Sequence, residues 1–94
     1  MEFVAFDLET TGIDPSIDKI VEIGAVRFSG SNPIKGFGYL INPEISIPTE
    51  ASSVNGITDE MVKNKPKIEE VLELFSDFCG DLPLVAHNAS FDFK

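Results

Sequence analysis

The sequence predicts an α/β domain built on a mixed sheet, and three patterns lead there. Phe3-Val4-Ala5-Phe6-Asp7-Leu8-Glu9 is a β-favouring run that ends at Thr10-Thr11-Gly12. Two further stretches, Lys19 to Phe28 and Gly36 to Asn42, carry apolar residues in strand-like patterns between turn signals. Apolar residues then recur at three and four along Ile68, Val71, Leu72, Phe75, Phe78 and Cys79, the period of a helix packed on one side. Strands followed by helices and then a further apolar strand make an α/β order.

The first strand closes in a tight turn, and Asp14-Pro15 marks the loop that follows. The second strand ends at Gly30-Ser31-Asn32-Pro33, read as a turn, and the third, Gly36 to Asn42, stops at Pro43. Short connections predict that these three form an antiparallel meander. Glu44 to Asn55 contains Pro48 and several Ser and Thr residues without clear periodicity, so it is expected to be a surface connection. Thr58 suits the N-cap of a short helix because Asp59 and Glu60 follow where the helix dipole favours acids. Pro66 suits the start of the long helix and Gly80 its end. Leu82-Pro83-Leu84-Val85-Ala86 is a fourth strand, and Asn88 or Ser90 can cap a helix that has barely begun at Lys94. Residues 1–94 are therefore expected to be the amino-terminal part of one domain.

Seven basic against sixteen acidic side chains give a net charge of −9, opposite to the usual footprint of a nucleic-acid binder. Divalent cations can neutralise clustered carboxylates, and a module can borrow its grip on DNA from a partner, so this charge argues against contact with DNA without excluding it. No apolar run approaches the roughly 18 residues of a membrane span, and Met1-Glu2-Phe3 lacks the basic start of a signal peptide. A cytoplasmic protein without membrane attachment is expected. Cys79 is the only cysteine and sits at helical spacing among apolar residues, which predicts a buried thiol.

Asp7 and Glu9 stand two apart on a strand, so both side chains leave one face. Two anions in one small volume repel unless oxygen-seeking cations lie between them. An Asp-x-Glu alone is more often a turn or solvated pair. For residues after Val85-Ala86 to meet this pair, the fourth strand must lie parallel to the first, with the cleft outside their carboxyl ends.

Asp7-Leu8-Glu9-Thr10-Thr11-Gly12 resembles the first motif of the DnaQ-like exonuclease superfamily, and Ala86-His87-Asn88-Ala89-Ser90-Phe91-Asp92 resembles the second. Val54-Asn55-Gly56-Ile57-Thr58-Asp59-Glu60 is similar to the segment ahead of the family's first helix. The nearest likeness within it is to the DNA polymerase III epsilon subunit and PolC-type exonuclease domains. The resemblance implies a ribonuclease H-like exonuclease fold truncated after the fourth strand and the start of the next helix, with a third motif missing. It implies Asp7, Glu9 and Asp92 as catalytic ligands of two divalent cations, Mg2+ or Mn2+, with Asp7 bridging both. Thr10, Thr11 and Gly12 would border a terminal nucleotide, which Gly12 lets approach closely. Glu50 would bind the sugar 3′-hydroxyl, and Val54, Asn55 and Ile57 would line the nucleotide pocket. Related enzymes often have His where this chain has Asn55, which can hydrogen-bond but carries no charge.

Asn88 and Asp92 are four apart and face one side, beside Phe91; Asn88 as helix cap or contact, and Phe91 as core or base platform, both stay open. His87, the only histidine, is assigned a contact near ligands or substrate, or a structural role, and not that of general base. The implied activity is 3′→5′ hydrolysis of DNA ends to nucleoside 5′-monophosphates, in proofreading beside a DNA polymerase III catalytic subunit or fused polymerase. The fragment alone is expected to be weak or inactive. The alternatives are an oligoribonuclease-like RNA exonuclease and a non-catalytic docking module on the same fold. A calcium site is disfavoured because the carboxylates are split between a strand and a helix.

Overall fold

A computed structural model describes residues 1–12, 14, 16 and 18–86 of the chain. Its sheet has four strands: β1 (Glu2–Thr10), β2 (Ile20–Ser29), β3 (Asn32–Leu40) and β4 (Leu84–Ala86), in the order β3-β2-β1-β4. β1 pairs antiparallel with β2, and β2 with β3, giving the expected meander. β4 adds parallel to β1, with Val4 opposite Leu84 and Phe6 opposite Ala86. The helices α1 (Thr49–Asn55), α2 (Asp59–Val62) and α3 (Ile68–Cys79) lie in sequence between β3 and β4.

Alternation along β1 and β2 divides the sheet into two faces. Val4, Phe6 and Leu8 on β1, with Ile23 and Ala25 on β2, pack against Val71, Phe75 and Cys79 of α3. Val21 joins Ile47, Ile57 and Val62 in the core beneath the shorter helices. Phe37 of β3 closes the seam between sheet and α3, its ring centroid 5.4 Å from Phe75 and 5.2 Å from Phe78. The other face carries Phe3, Ala5, Asp7 and Glu9, which stand opposite Phe28, Val26, Gly24 and Glu22. Cys79 is buried, as its spacing predicts, and burial pushes its thiol pKa up.

Several boundaries differ from the sequence reading: β4 begins at Leu84 rather than Leu82, and α3 at Ile68, two residues past Pro66. Pro33 lies inside β3 rather than in the turn; it pairs with Phe28 beside a register irregularity on an edge strand, where a missing N–H costs no ladder bond. The turn itself contracts to Gly30-Ser31, with Gly30 at φ 60°. Thr49–Asn55 is a helix, not an irregular connection. It has no buried residue, so no apolar period announces it, and it is held instead by Ser52 Oγ donating to the Ile57 carbonyl and by Gly56 at φ 75°. Leu72, placed in the apolar stripe of α3, is 48% exposed, because the stripe that meets the sheet runs through Ile68, Val71, Phe75, Phe78 and Cys79. Thr58 occupies the N-cap of α2 without a side-chain cap bond. Asp59 turns away to accept from the Ile47 amide at 2.8 Å.

Candidate active site

The site grows from the carboxyl end of β1. Because Val4, Phe6 and Leu8 are pulled into the core, Asp7 and Glu9 are delivered together to the opposite face. Asp7 faces Gly24 across the ladder, and a Cβ on Gly24 would meet nothing within 4 Å. Among the described residues, Asp7 Oδ1 is buried without a hydrogen-bond partner. A buried unpaired carboxylate oxygen is costly unless a proton or cation satisfies it.

Glu9 stands opposite Glu22, a residue that sequence reasoning passed over. Burial first, then the Asp7 and Glu22 charges, raise the Glu9 pKa above its ordinary value. The alternation of Val21, Ile23 and Ala25 was the available signal, since it sends Glu22 to the face of Asp7 and Glu9. This donor set fits a hard divalent cation: an orphan acceptor and a second carboxylate that resists ionising beside it. Asp7 and Glu9, two of the three ligands expected from the sequence, lie within the described residues. Among the described residues no group of three His, Cys, Asp or Glu side chains is arranged to hold a metal ion.

A pH dependence follows from Glu9. With its folded pKa raised, the folded state holds the proton more tightly, so this group's stabilisation is complete below the unfolded pKa. It is lost as pH rises through the folded value. In metal-free protein, Glu9→Gln is therefore expected to gain stability relative to wild type as pH rises from 4 towards 7, and Glu22→Gln to reproduce part of that gain. Urea titrations at a series of pH values in chelator test this; a wild-type-minus-variant difference that stays flat with pH would refute it.

The turn after Glu9 is fastened from within. Thr10 Oγ1 donates to the Gly12 carbonyl. Thr11 is only 2% exposed; its hydroxyl donates to Asp18 Oδ1 at 2.8 Å and accepts from the Lys19 amide at 3.0 Å. The Thr11 amide donates to the Lys19 carbonyl at 2.8 Å. The side-chain space that Gly12 leaves is taken by Asp18, whose Oδ1 would lie 2.8 Å from a Cβ there. Asp18 was also passed over; an acid directly before the second strand, facing Thr-Thr-Gly across a short loop, was the signal for it.

Asn55 joins α1 to this turn, its Nδ2 donating to the Thr10 carbonyl at 3.3 Å while its Oδ1 accepts from the Ile57 amide at 2.9 Å. Hydrogen bonds thus bring Thr10, Thr11, Gly12 and Asn55 together at the end of β1. Val54, next along the chain, is 86% exposed, and Glu50 is exposed in the first turn of α1. Ile57 is buried in the core with Val21, Ile47 and Val62. The end of β4 at Ala86 lies beside Phe6, one residue before Asp7, so the chain leaves β4 at the carboxylate end of β1. His87, Asn88, Phe91 and Asp92 fall outside the described residues.

The exonuclease family model matches residues 4–94. A PolC-type DNA polymerase III from Thermotoga maritima is 48% identical over 98% of this chain, and the DNA polymerase III subunit epsilon of Treponema pallidum is 49% identical over the same share. The chain spans 7% of the first relative's length and 43% of the second's. Exonuclease X, solved in complex with 5′ overhanging duplex DNA, superposes with a TM-score of 0.80 at 34% identity, over 96% of this chain and 51% of that one. An Exonuclease I from Methylocaldum szegediense shares the fold, with a TM-score of 0.82 at 22% identity over 94% of this chain and 20% of its own. No described helix is long and apolar enough to cross a membrane. With its family model spanning nearly the whole length and its ribonuclease H-like sheet matched in solved exonucleases, the chain belongs to the RNase T/DnaQ-like exonuclease family.

Proposed function

We propose that this chain carries the first part of the active site of a metal-dependent 3′→5′ exonuclease that removes nucleoside 5′-monophosphates from DNA ends. The observation that carries the reading is the paired presentation of Asp7 and Glu9 at the end of β1, with Asp7 Oδ1 buried and unpartnered among the described residues. Asp7 and Glu9 would hold divalent cations, with Asp92 as a further ligand carried by the family resemblance. When bound, Mg2+ or Mn2+ supplies Lewis-acid stabilisation of the phosphoryl oxygens and an activated water.

The chain's own residues bind and orient. Thr10–Gly12 present a rigid backbone edge to the terminal nucleotide, and the exposed Val54 offers it an apolar contact beside Asn55. Glu50, exposed in the first turn of α1, would accept from a sugar 3′-hydroxyl, and Ile57 would support the pocket from the core. His87, Asn88 and Phe91 would complete the nucleotide contacts. A net charge of −9 gives this unit little attraction for DNA, which supports proofreading beside a polymerase that supplies the grip. The polymerase III relatives favour the same setting, and with it a cytoplasmic one.

The test uses the full exonuclease domain on single-stranded DNA with Mn2+. A 5′ label should remain on a ladder that shortens one nucleotide at a time, and a 3′-terminal label should leave at once as a nucleoside 5′-monophosphate. Internal cleavage products, or an equal ladder in chelator, would overturn the reading.

A further inference from the structure

The geometry points to Asp18 as the positioning residue of this site, holding the Thr10–Gly12 turn in the shape that receives the terminal nucleotide. This rests on the exonuclease reading above and adds a residue that the family motifs do not assign.

One carboxylate makes two of the contacts that close the loop, beside the bond from the Thr11 amide to the Lys19 carbonyl. Asp18 Oδ1 accepts from the Thr11 hydroxyl at 2.8 Å, and Oδ2 accepts from the Asp14 amide at 2.9 Å. The Asp18 amide in turn donates to the Asp14 carbonyl at 2.8 Å. Thr11 passes the constraint to the second strand, since its oxygen also accepts from the Lys19 amide. The buried Thr11 hydroxyl thereby spends its one donor and one of its two acceptor positions inside the loop, and at 2% exposed it has little surface to offer a substrate. Gly12 completes the lock. Its missing side chain makes room for Asp18, and a methyl group there would press on the carboxylate.

The metal ligands are held differently. Asp7 and Glu9 are fixed by the β1–β2 ladder, paired with Gly24 and Glu22, and touch none of these loop contacts. Loosening Asp18 should therefore shift the backbone edge that meets the nucleotide and leave the cation ligands in place. Asp18→Asn is the sharp change. Its amide nitrogen would oppose one of two donors, the Thr11 hydroxyl or the Asp14 amide, at nearly constant volume.

The experiment compares Asp18→Asn, Thr11→Val, Thr11→Ser and the Asp18→Asn/Thr11→Val double variant in the full exonuclease domain, with Asp7→Asn as control. Hydrolysis of a short single-stranded oligonucleotide is followed against both oligonucleotide and Mn2+ concentration. Asp18→Asn and Thr11→Val are each expected to raise KM on the order of tenfold through misplacement of the nucleotide edge. The Mn2+ concentration at half-maximal rate should not move. Thr11→Ser should restore wild-type KM because it keeps the hydroxyl, and the double variant should be no worse than either single one. An unchanged KM in Asp18→Asn and Thr11→Val, a shifted Mn2+ dependence, or additive losses would overturn the assignment. Thr11→Val repeats the test without touching the carboxylate, should Asp18→Asn fail to fold. If Asp7→Asn cleaves as well as wild type, the exonuclease reading itself fails; if Asp7→Asn is inert and the loop variants are normal, only the role of Asp18 falls.

Discussion

Asp7→Asn in the full exonuclease domain is expected to lose roughly three orders of magnitude in hydrolysis, about 4 kcal/mol of transition-state stabilisation, because on the proposed reading it removes an anionic cation ligand. The same change should not destabilise the metal-free fold. Asp7 Oδ1 has no hydrogen bond among the described residues to lose, and removing its charge relieves Glu9, whose pKa it raises. Cation binding provides the contrast. With free Mn2+ at about 100 times its Kd, wild type should gain about 2.7 kcal/mol of stability, and Asp7→Asn essentially none. Thermal unfolding with Mn2+ and with chelator, beside the cleavage assay, checks both halves. An Asp7→Asn protein that retains the Mn2+ gain shows that Asp7 is not a ligand, and one that retains cleavage removes it from the chemistry.

Ile23→Ala is expected to have the largest effect on folding, about 2–5 kcal/mol from lost burial and the cavity left behind. Ile23 is 1% exposed and packs with Ile41 of the strand exit and Val71 of α3. In a domain whose whole stability is on the order of 5–15 kcal/mol, that loss leaves a substantial unfolded fraction. The site would feel it too, because Ile23 lies between Glu22 and Gly24, the residues opposite Glu9 and Asp7. Val54→Ala, on a residue 86% exposed, should stay within about 0.5 kcal/mol. Urea denaturation of both variants decides the matter; equal, small losses would mean that the β2–α3 seam is not the core.

Much of this protein was legible in its residue order. The apolar alternation of β1 and β2, the three-and-four spacing of α3 and the turn residues between them are local patterns, and each produced its element. The carboxylate pair was legible for the same reason: a strand has period two, so Asp7 and Glu9 share a face wherever the strand lies. The parallel placement of β4 beside β1 was inferred from the need to gather the motifs, and the ladder from Val4–Leu84 to Phe6–Ala86 bears it out.

What escaped the sequence reading depended on partners distant along the chain. α1 has no apolar stripe and exists through a glycine cap and contacts such as Asn55 to Thr10, forty-five residues away. Glu22 matters to Glu9 only once an antiparallel register sets them opposite each other. Gly12 read as room for a nucleotide, yet the atoms filling that room belong to Asp18. The sequence by itself determined the periodic elements and the facing carboxylates, because those follow from the repeat of a single backbone. Tertiary structure alone decided that Asp7 Oδ1 is buried without a partner among the described residues and which carboxylate ties the loop, because hydrogen bonds and charge interactions depend on distances that no local period encodes.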